Sequence, residues 1–200
     1  MGYPVAIHGW WGLHGGPIEW EGIRVFPGHL DSYGNDSAMY YCRQWKADVL
    51  ITLIDLWVMN PDYGNLGSTK YCPLFPIDHA DPIPPVIAQR FESAHRLLVY
   101  SRYAEREVKA YDGGRYAEKV RYLPHGINTD IFRPCTDEEK RGFRQRLFKT
   151  EWPEDAFIVG MVAANKGYPC RKSFPEVMEA FALFHREHPE ARLYLHSHPG

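Results

Sequence analysis

The chain has 200 residues, enough for one domain or two small ones at roughly 100–200 residues per domain. Hydrophobic residues make up 44% and charged residues 24%, ordinary globular values that exclude a disordered or fibrous chain. A formal net charge of −2 leaves no basic excess, which argues against a nucleic-acid partner.

In chain order, residues 5–7 and 23–26 are short β-branched or aromatic runs that predict strands. Between them, Gly9, Gly12, Gly15 and Gly16 miss the G-x-G-x-x-G spacing and carry Trp10, Trp11 and His14. A flexible strand-exit loop fits them better than a dinucleotide cradle, which disfavours an NAD-dependent oxidoreductase. Residues 36–46 follow a Gly-Asn turn and predict a helix. Residues 49–54 are continuously apolar, the pattern of a strand buried on both faces in a parallel sheet. The stretch 60–69 is rich in Gly, Asn, Pro and Asp and predicts a long surface loop.

A run at 73–77 predicts a further strand. Residues 84–94 predict a helix that opens on prolines, with Val86, Ile87, Phe91 and Ala94 on one face. Residues 97–100 predict a strand, and Ser101 is placed to cap a helix running to about Ala110. After a strand at 120–123, Thr136 and Glu139 form a capping-box pattern that opens a helix to about Phe148. Strands follow at 157–162 and 193–195. Between them Ser173 and Glu176 repeat the capping box, before a helix with Val177, Phe181 and Phe184 on one face. Strands and helices alternating in this order predict a Rossmann-like α/β architecture, with a joint at 133–136.

In an open parallel sheet, ligands bind beyond the carboxyl ends of the strands. Polar residues and glycines gather at the predicted ends: Asp55, Asp78-His79, Ser101, His125-Gly126, Asn165-Lys166-Gly167 with Arg171-Lys172, and His196-Ser197-His198. Each alone has a plainer reading. Asp55 and Ser101 suit turns or helix caps, and Gly126 suits a turn whose backbone angle only glycine tolerates. His79 alone suits a structural role, and His196 with His198 lacks a third metal ligand. Their convergence on strand ends suits an anionic, hydroxyl-rich ligand. The basic pair would meet phosphate near a helix N-terminus.

The stretch 120–134, Val-Arg-Tyr-Leu-Pro-His-Gly-Ile-Asn-Thr-Asp-Ile-Phe-Arg-Pro, resembles the inter-domain signature of the family-4 retaining glycosyltransferases. His125 stands where Asn is usual, and Asn128 where Asp is common. The strand at 157–163, Arg171-Lys172, the helix at 177–184 and the strand at 191–195 are similar to the opening of that family's donor domain. Ser101 after a strand matches another of its elements.

The resemblance implies a GT-B fold, with two Rossmann-like domains facing across a cleft. Residues 1–134 would form the acceptor-side domain without its opening strand and helix. Residues 135–200 would begin the nucleotide-sugar domain, whose donor-binding glutamate pair lies further downstream. Lys172 matches the family's diphosphate-binding lysine. Arg171 is the nearest arginine to serve as its partner, while Asn165 and Lys166 lie closer to the strand end. His79 matches a histidine close to the transferred sugar, and Asp55 a polar residue on the same rim. Ser101, His125 and Gly126 would line the cleft. The expected reaction moves a sugar from a nucleotide-sugar donor to a glycan, lipid or other hydroxyl acceptor, with retention and without a metal or other cofactor. A GT-B epimerase or phosphorylase and a non-catalytic sugar- or nucleotide-binding module remain alternatives, and these 200 residues alone are expected to be inactive. No transmembrane run occurs, no signal peptide precedes the first strand, and Cys42, Cys72, Cys135 and Cys170 form no C-x-x-C pair. A cytoplasmic protein, at most peripheral to a membrane, is expected.

Overall fold

The structure, a computed structural model, describes residues 2–9, 11–79, 82–148, 152–153, 155–167 and 169–197. The chain divides into two compact units, Met1–Gly126 and Ile127–Gly200. It is mixed α/β and Rossmann-like, built around a four-stranded, all-parallel sheet flanked by helices.

In the first unit, β1 (Ala6–Gly9) pairs parallel with β3 (Ile23–Pro27). β2 (Ile18–Trp20) joins β3 antiparallel, a strand the sequence reading leaves as loop. Glu21 and Gly22, with φ of 49° and 76°, make the connection. Positive φ at both positions is what a tight hairpin between twisted strands requires.

The larger sheet runs β4 (Val49–Leu53), β5 (Lys70–Phe75), β6 (Leu97–Val99) and β7 (Val120–Tyr122), in that order. Leu97, Val99 and Val120 are fully buried, as are Phe75 and Phe91. The Phe91 ring meets the Phe75, Tyr111 and Tyr116 rings. α3 (Arg102–Ala110) covers β6 and β7 and buries Ala104 and Val108. α1 (Asn35–Trp45) ties the two sheets together. Its Ala38 belongs to the core of the larger sheet. Its Tyr41 stacks on Phe26 of β3 at 4.5 Å, and Ser37 Oγ lies 3.1 Å from His8 Nε2 on β1.

Three expectations need correction in this unit. The apolar run of β4 is not buried on both faces: Val49, Ile51 and Leu53 share one face and are exposed, while Leu50 on the other face packs against the core. The stretch 60–69 is not a simple surface loop. It holds a 3₁₀ turn at Pro61–Asn65 and sends Tyr63 and Leu66 into the core. The helix expected at 84–94 is a single turn, α2 (Pro85–Ala88), and Val86 is exposed while Ile87, Phe91 and Ala94 are buried. Beyond that turn, side-chain packing rather than helical periodicity places Phe91 and Ala94.

The second unit contains α4 (Asp137–Phe148), β8 (Ile158–Val162), α5 (Phe174–Glu187) and β9 (Arg192–His196), with β8 and β9 parallel. The first predicted capping box forms. Glu139 N–H donates to Thr136 Oγ1 at 3.2 Å, and Thr136 N–H donates to Glu139 Oε2 at 2.8 Å. Arg133 forks onto both oxygens of the same carboxylate. The second does not form. Ser173 N–H donates to the Cys170 carbonyl, the residue sits at φ 54°, and its side chain caps nothing. Ala156, Phe174 and Ala191 are buried, whereas Phe157, Val162 and Leu183 are largely exposed. Among the described residues of the chain, no helix is long and apolar enough to cross a membrane.

Candidate functional site

Parallel pairing puts the carboxyl ends of β4, β5, β6 and β7 on one edge of one sheet, and the first unit's candidate residues follow those ends. Asp55 leaves β4, stays exposed and accepts no capping hydrogen bond for the short turn it precedes. Its carboxylate is therefore not used as the helix cap that its position allows. Beyond β5, Ile77 is buried and anchors the exposed pair Asp78-His79. His79 Nδ1 lies 3.0 Å from Asp78 Oδ1, and the His79 carbonyl accepts the Tyr103 hydroxyl at 2.7 Å. The backbone is thus pinned from α3 while the imidazole remains partly open to solvent.

Tyr100, between β6 and Ser101, links these groups and was not singled out by the sequence. Burial raises its phenol above the usual range, and the negative charges of Asp55 and Asp78 raise it further. Its ring sits 4.2 Å from that of His125, which leaves β7. Asp55, Asp78, Tyr100 and His125 therefore gather at one sheet edge. Ser101 serves the scaffold: its Oγ accepts the Ala104 N–H at 3.0 Å and caps α3. The hydroxyl proton is still able to donate. Gly126 departs from the turn reading, because its φ is not positive and nothing lies within 4 Å of where a Cβ would stand. Neither strain nor crowding in its surroundings calls for glycine there.

The second unit has its own cluster, at the carboxyl ends of β8 and β9. Asn165 N–H donates to Ser197 Oγ at 3.0 Å, joining the two strand exits. The Cys170 thiol donates to Asn165 Oδ1 at 3.3 Å, folding the loop back on itself. Gly167 turns that loop at φ 90°, a conformation that L side chains rarely adopt. The loop then delivers Arg171 and Lys172, both exposed, to the first turn of α5. Lys166 is also exposed. α5 starts without a side-chain cap, its first turn holds Pro175, which has no N–H, and Arg171 and Lys172 just before it are exposed, so cationic side chains supply most of what would attract an anion there.

His196 Nδ1 lies 3.3 Å from the Tyr194 hydroxyl, and His198 falls outside the described residues. No group of three potential metal ligands is present among the described residues. Tyr100 was missed because an aromatic residue ending a buried strand carries the same sequence signal as a core residue. The Asn165–Ser197 contact has no local sequence signature, since the two residues lie 32 positions apart. In comparisons with known proteins, no family model and no curated protein matches the chain.

Proposed function

We propose that the chain is part of a nucleotide-sugar-dependent retaining glycosyltransferase of the GT-B kind. The observation that carries the reading is the loop 165–172. It leaves a parallel strand, brings Arg171 and Lys172 to an uncapped helix start, and follows the 120–134 stretch that resembles the family's inter-domain signature. In this reading the α5 N-terminus and Lys172, with Arg171 or Lys166, bind the donor diphosphate. Negative charge grows on that diphosphate as the glycosidic bond breaks, and fixed cations and N–H dipoles lower the barrier by stabilising it. Asn165, held by Ser197 and Cys170, keeps the loop in register.

The first unit's edge supplies the acceptor side. His79, its backbone fixed by Tyr103, is the residue that the resemblance matches to a histidine close to the transferred sugar. Asp55 and Asp78 accept acceptor hydroxyls, and the Tyr100–His125 pair offers an aromatic surface. No metal or other cofactor takes part in this reading. On a longer protein that contains this chain, retention is tested by following the anomeric configuration of the product by NMR, and the same spectra separate transfer from epimerisation or phosphorolysis.

The binding test is Lys172→Ala, with UDP, GDP and ADP titrated against the chain. Loss of one charge-assisted contact, about 1.5–3 kcal/mol, lowers diphosphate affinity by roughly 10–150-fold. Equal affinity of the variant and the parent for every nucleotide would remove Lys172 from diphosphate binding.

A further inference from the structure

A second concavity in the first unit is left unused by that reading. It lies where β1 and β3 end, and both strands run parallel, so their exits share one edge. The cavity measures about 480 Å³ and is lined by Trp11, Gly12, His14, His29, Leu30 and Asp31, with Ser32. That volume falls within the roughly 300–1,000 Å³ of small-molecule sites.

Its floor is built rather than loose. Asp31 Oδ1 accepts the Tyr33 and Asn35 N–H groups and Asn35 Nδ2, at 2.8–3.2 Å. Asp36 Oδ2 accepts the Leu30 and Asp31 N–H groups at 2.8 and 2.9 Å, and stands 3.4 Å from His29 Nδ1. Asn35 also donates to the Val58 carbonyl and accepts the Asn60 N–H, which fastens the loop to the other side of the unit. The Tyr33 and Asn35 bonds to the Asp31 carboxylate all fall on Oδ1.

The wall is the opposite in character. Trp11 is 89% exposed and Leu30 87%, so the indole face is presented to solvent and not packed. An exposed indole face is a surface that a ligand can cover, at a gain of about 25 cal/mol per Å² of apolar area removed from water. An open aromatic face beside imidazoles, a hydroxyl and a carboxylate matches a pyranose ring, whose C–H face stacks while its hydroxyls pair. Among the described residues no Lys or Arg lines the cavity, and Asp31 disfavours anions, so the lining suits a neutral ligand better than a sulfated or phosphorylated one.

The geometry points to this groove as a binding site for a neutral saccharide, with Trp11 as the stacking platform. It deepens the acceptor side of the glycosyltransferase reading, and rests on that reading for its use though not for the binding itself. The aromatic wall could alternatively serve a nucleobase or a lipid surface, and both are arms of the test.

The full 200-residue chain is titrated with neutral pentasaccharides of the glucose, mannose, galactose and N-acetylglucosamine series, followed by saturation-transfer NMR. Parallel arms use adenosine and uridine, and phosphatidylcholine vesicles with and without phosphatidylserine. At least one pentasaccharide is expected to bind at or below about 1 mM. Trp11→Ala weakens it at least about tenfold, Trp11→Tyr retains most of it, and Trp57→Ala, at a second exposed indole, leaves it unchanged. Lys172→Ala also leaves it unchanged while lowering UDP affinity, so this inference and the donor assignment fail separately. No saturable pentasaccharide binding, or equal binding by Trp11→Ala, overturns the proposal. So does a Trp11-dependent signal confined to nucleosides or vesicles.

Discussion

Among the described residues, Tyr63 is the largest fully buried side chain, and its hydroxyl has no hydrogen-bond partner. Burial pushes the phenol well above its usual range, and the nearby Tyr71, Asp31, Cys42 and Asp36 push in the same direction. The ring itself is well used, with its edge set against Tyr71 at 4.9 Å and 61°. Tyr63→Phe keeps that ring and its volume and removes only the unpaired hydroxyl. Burying a hydroxyl without a partner costs about 1–3 kcal/mol in mutational data, so the variant gains about 1–2 kcal/mol once small losses of dispersion are allowed for. At this chain length that is a rise in Tm of roughly 2–8 °C. Urea unfolding followed by far-UV circular dichroism reads the gain as a shift in midpoint at constant slope. A loss of 1 kcal/mol or more would refute the reasoning, because it would mean that the hydroxyl has a partner whose bond is worth more than its desolvation.

Ser101→Ala removes the side-chain cap of α3 and destabilises the first unit by about 1 kcal/mol, within the usual range of about 0.5–2. Ser101→Asp restores most of that loss in thermal melts, and failure of the rescue would show that the hydroxyl does something other than cap the helix. Glu139 gives a pH signature in the second unit. The Arg133 guanidinium, and then the Thr136 N–H, hold its carboxyl down from 4.5 to about 2. A carboxyl depressed in the folded state stabilises above its unfolded value, so this contribution is complete above pH 4.5 and disappears as pH falls through about 2. The Glu139 Cδ resonance should titrate with that low midpoint, and Arg133→Gln should move it upward. A midpoint at the ordinary glutamate value in the parent protein would show that the fork with Arg133 does not persist in solution.

The two capping-box patterns show where local sequence stops deciding structure. Thr136–Glu139 and Ser173–Glu176 have the same spacing and the same residue types. The first closes as expected, aided by Arg133 from just outside the helix. At the second, the chain arrives through a turn in which Ser173 N–H is taken by the Cys170 carbonyl, and Ser173 is left at φ 54°. A left-handed residue cannot aim its hydroxyl at the N–H groups of the following turn, since an N-cap needs an extended backbone. The same turn leaves the start of α5 without a side-chain cap, directly after Arg171 and Lys172. The failed cap and the candidate anion site are therefore one feature, and its cause lies in the loop before the motif.

A similar limit applies to burial. The run in β4 has the composition of a strand buried on both faces, but only its Leu50 face is covered by the core. The stretch 60–69 has loop composition, yet the hydrogen bond from Asn60 N–H to Asn35 and the bond between Arg90 and the Met59 carbonyl fix both chain direction and depth. Those ties delivered Tyr63 and Leu66 to the core. Strand type, helix starts and the exits at Asp55, His79, Ser101 and His125 were legible because they depend on nearest neighbours in sequence. The Tyr100–His125 and Asn165–Ser197 contacts were not, because pairing across strands makes them. A site at the carboxyl edge of a parallel sheet is assembled from residues that sequence separates. Its members can be anticipated one strand at a time, while their joint geometry exists only once the strands have paired.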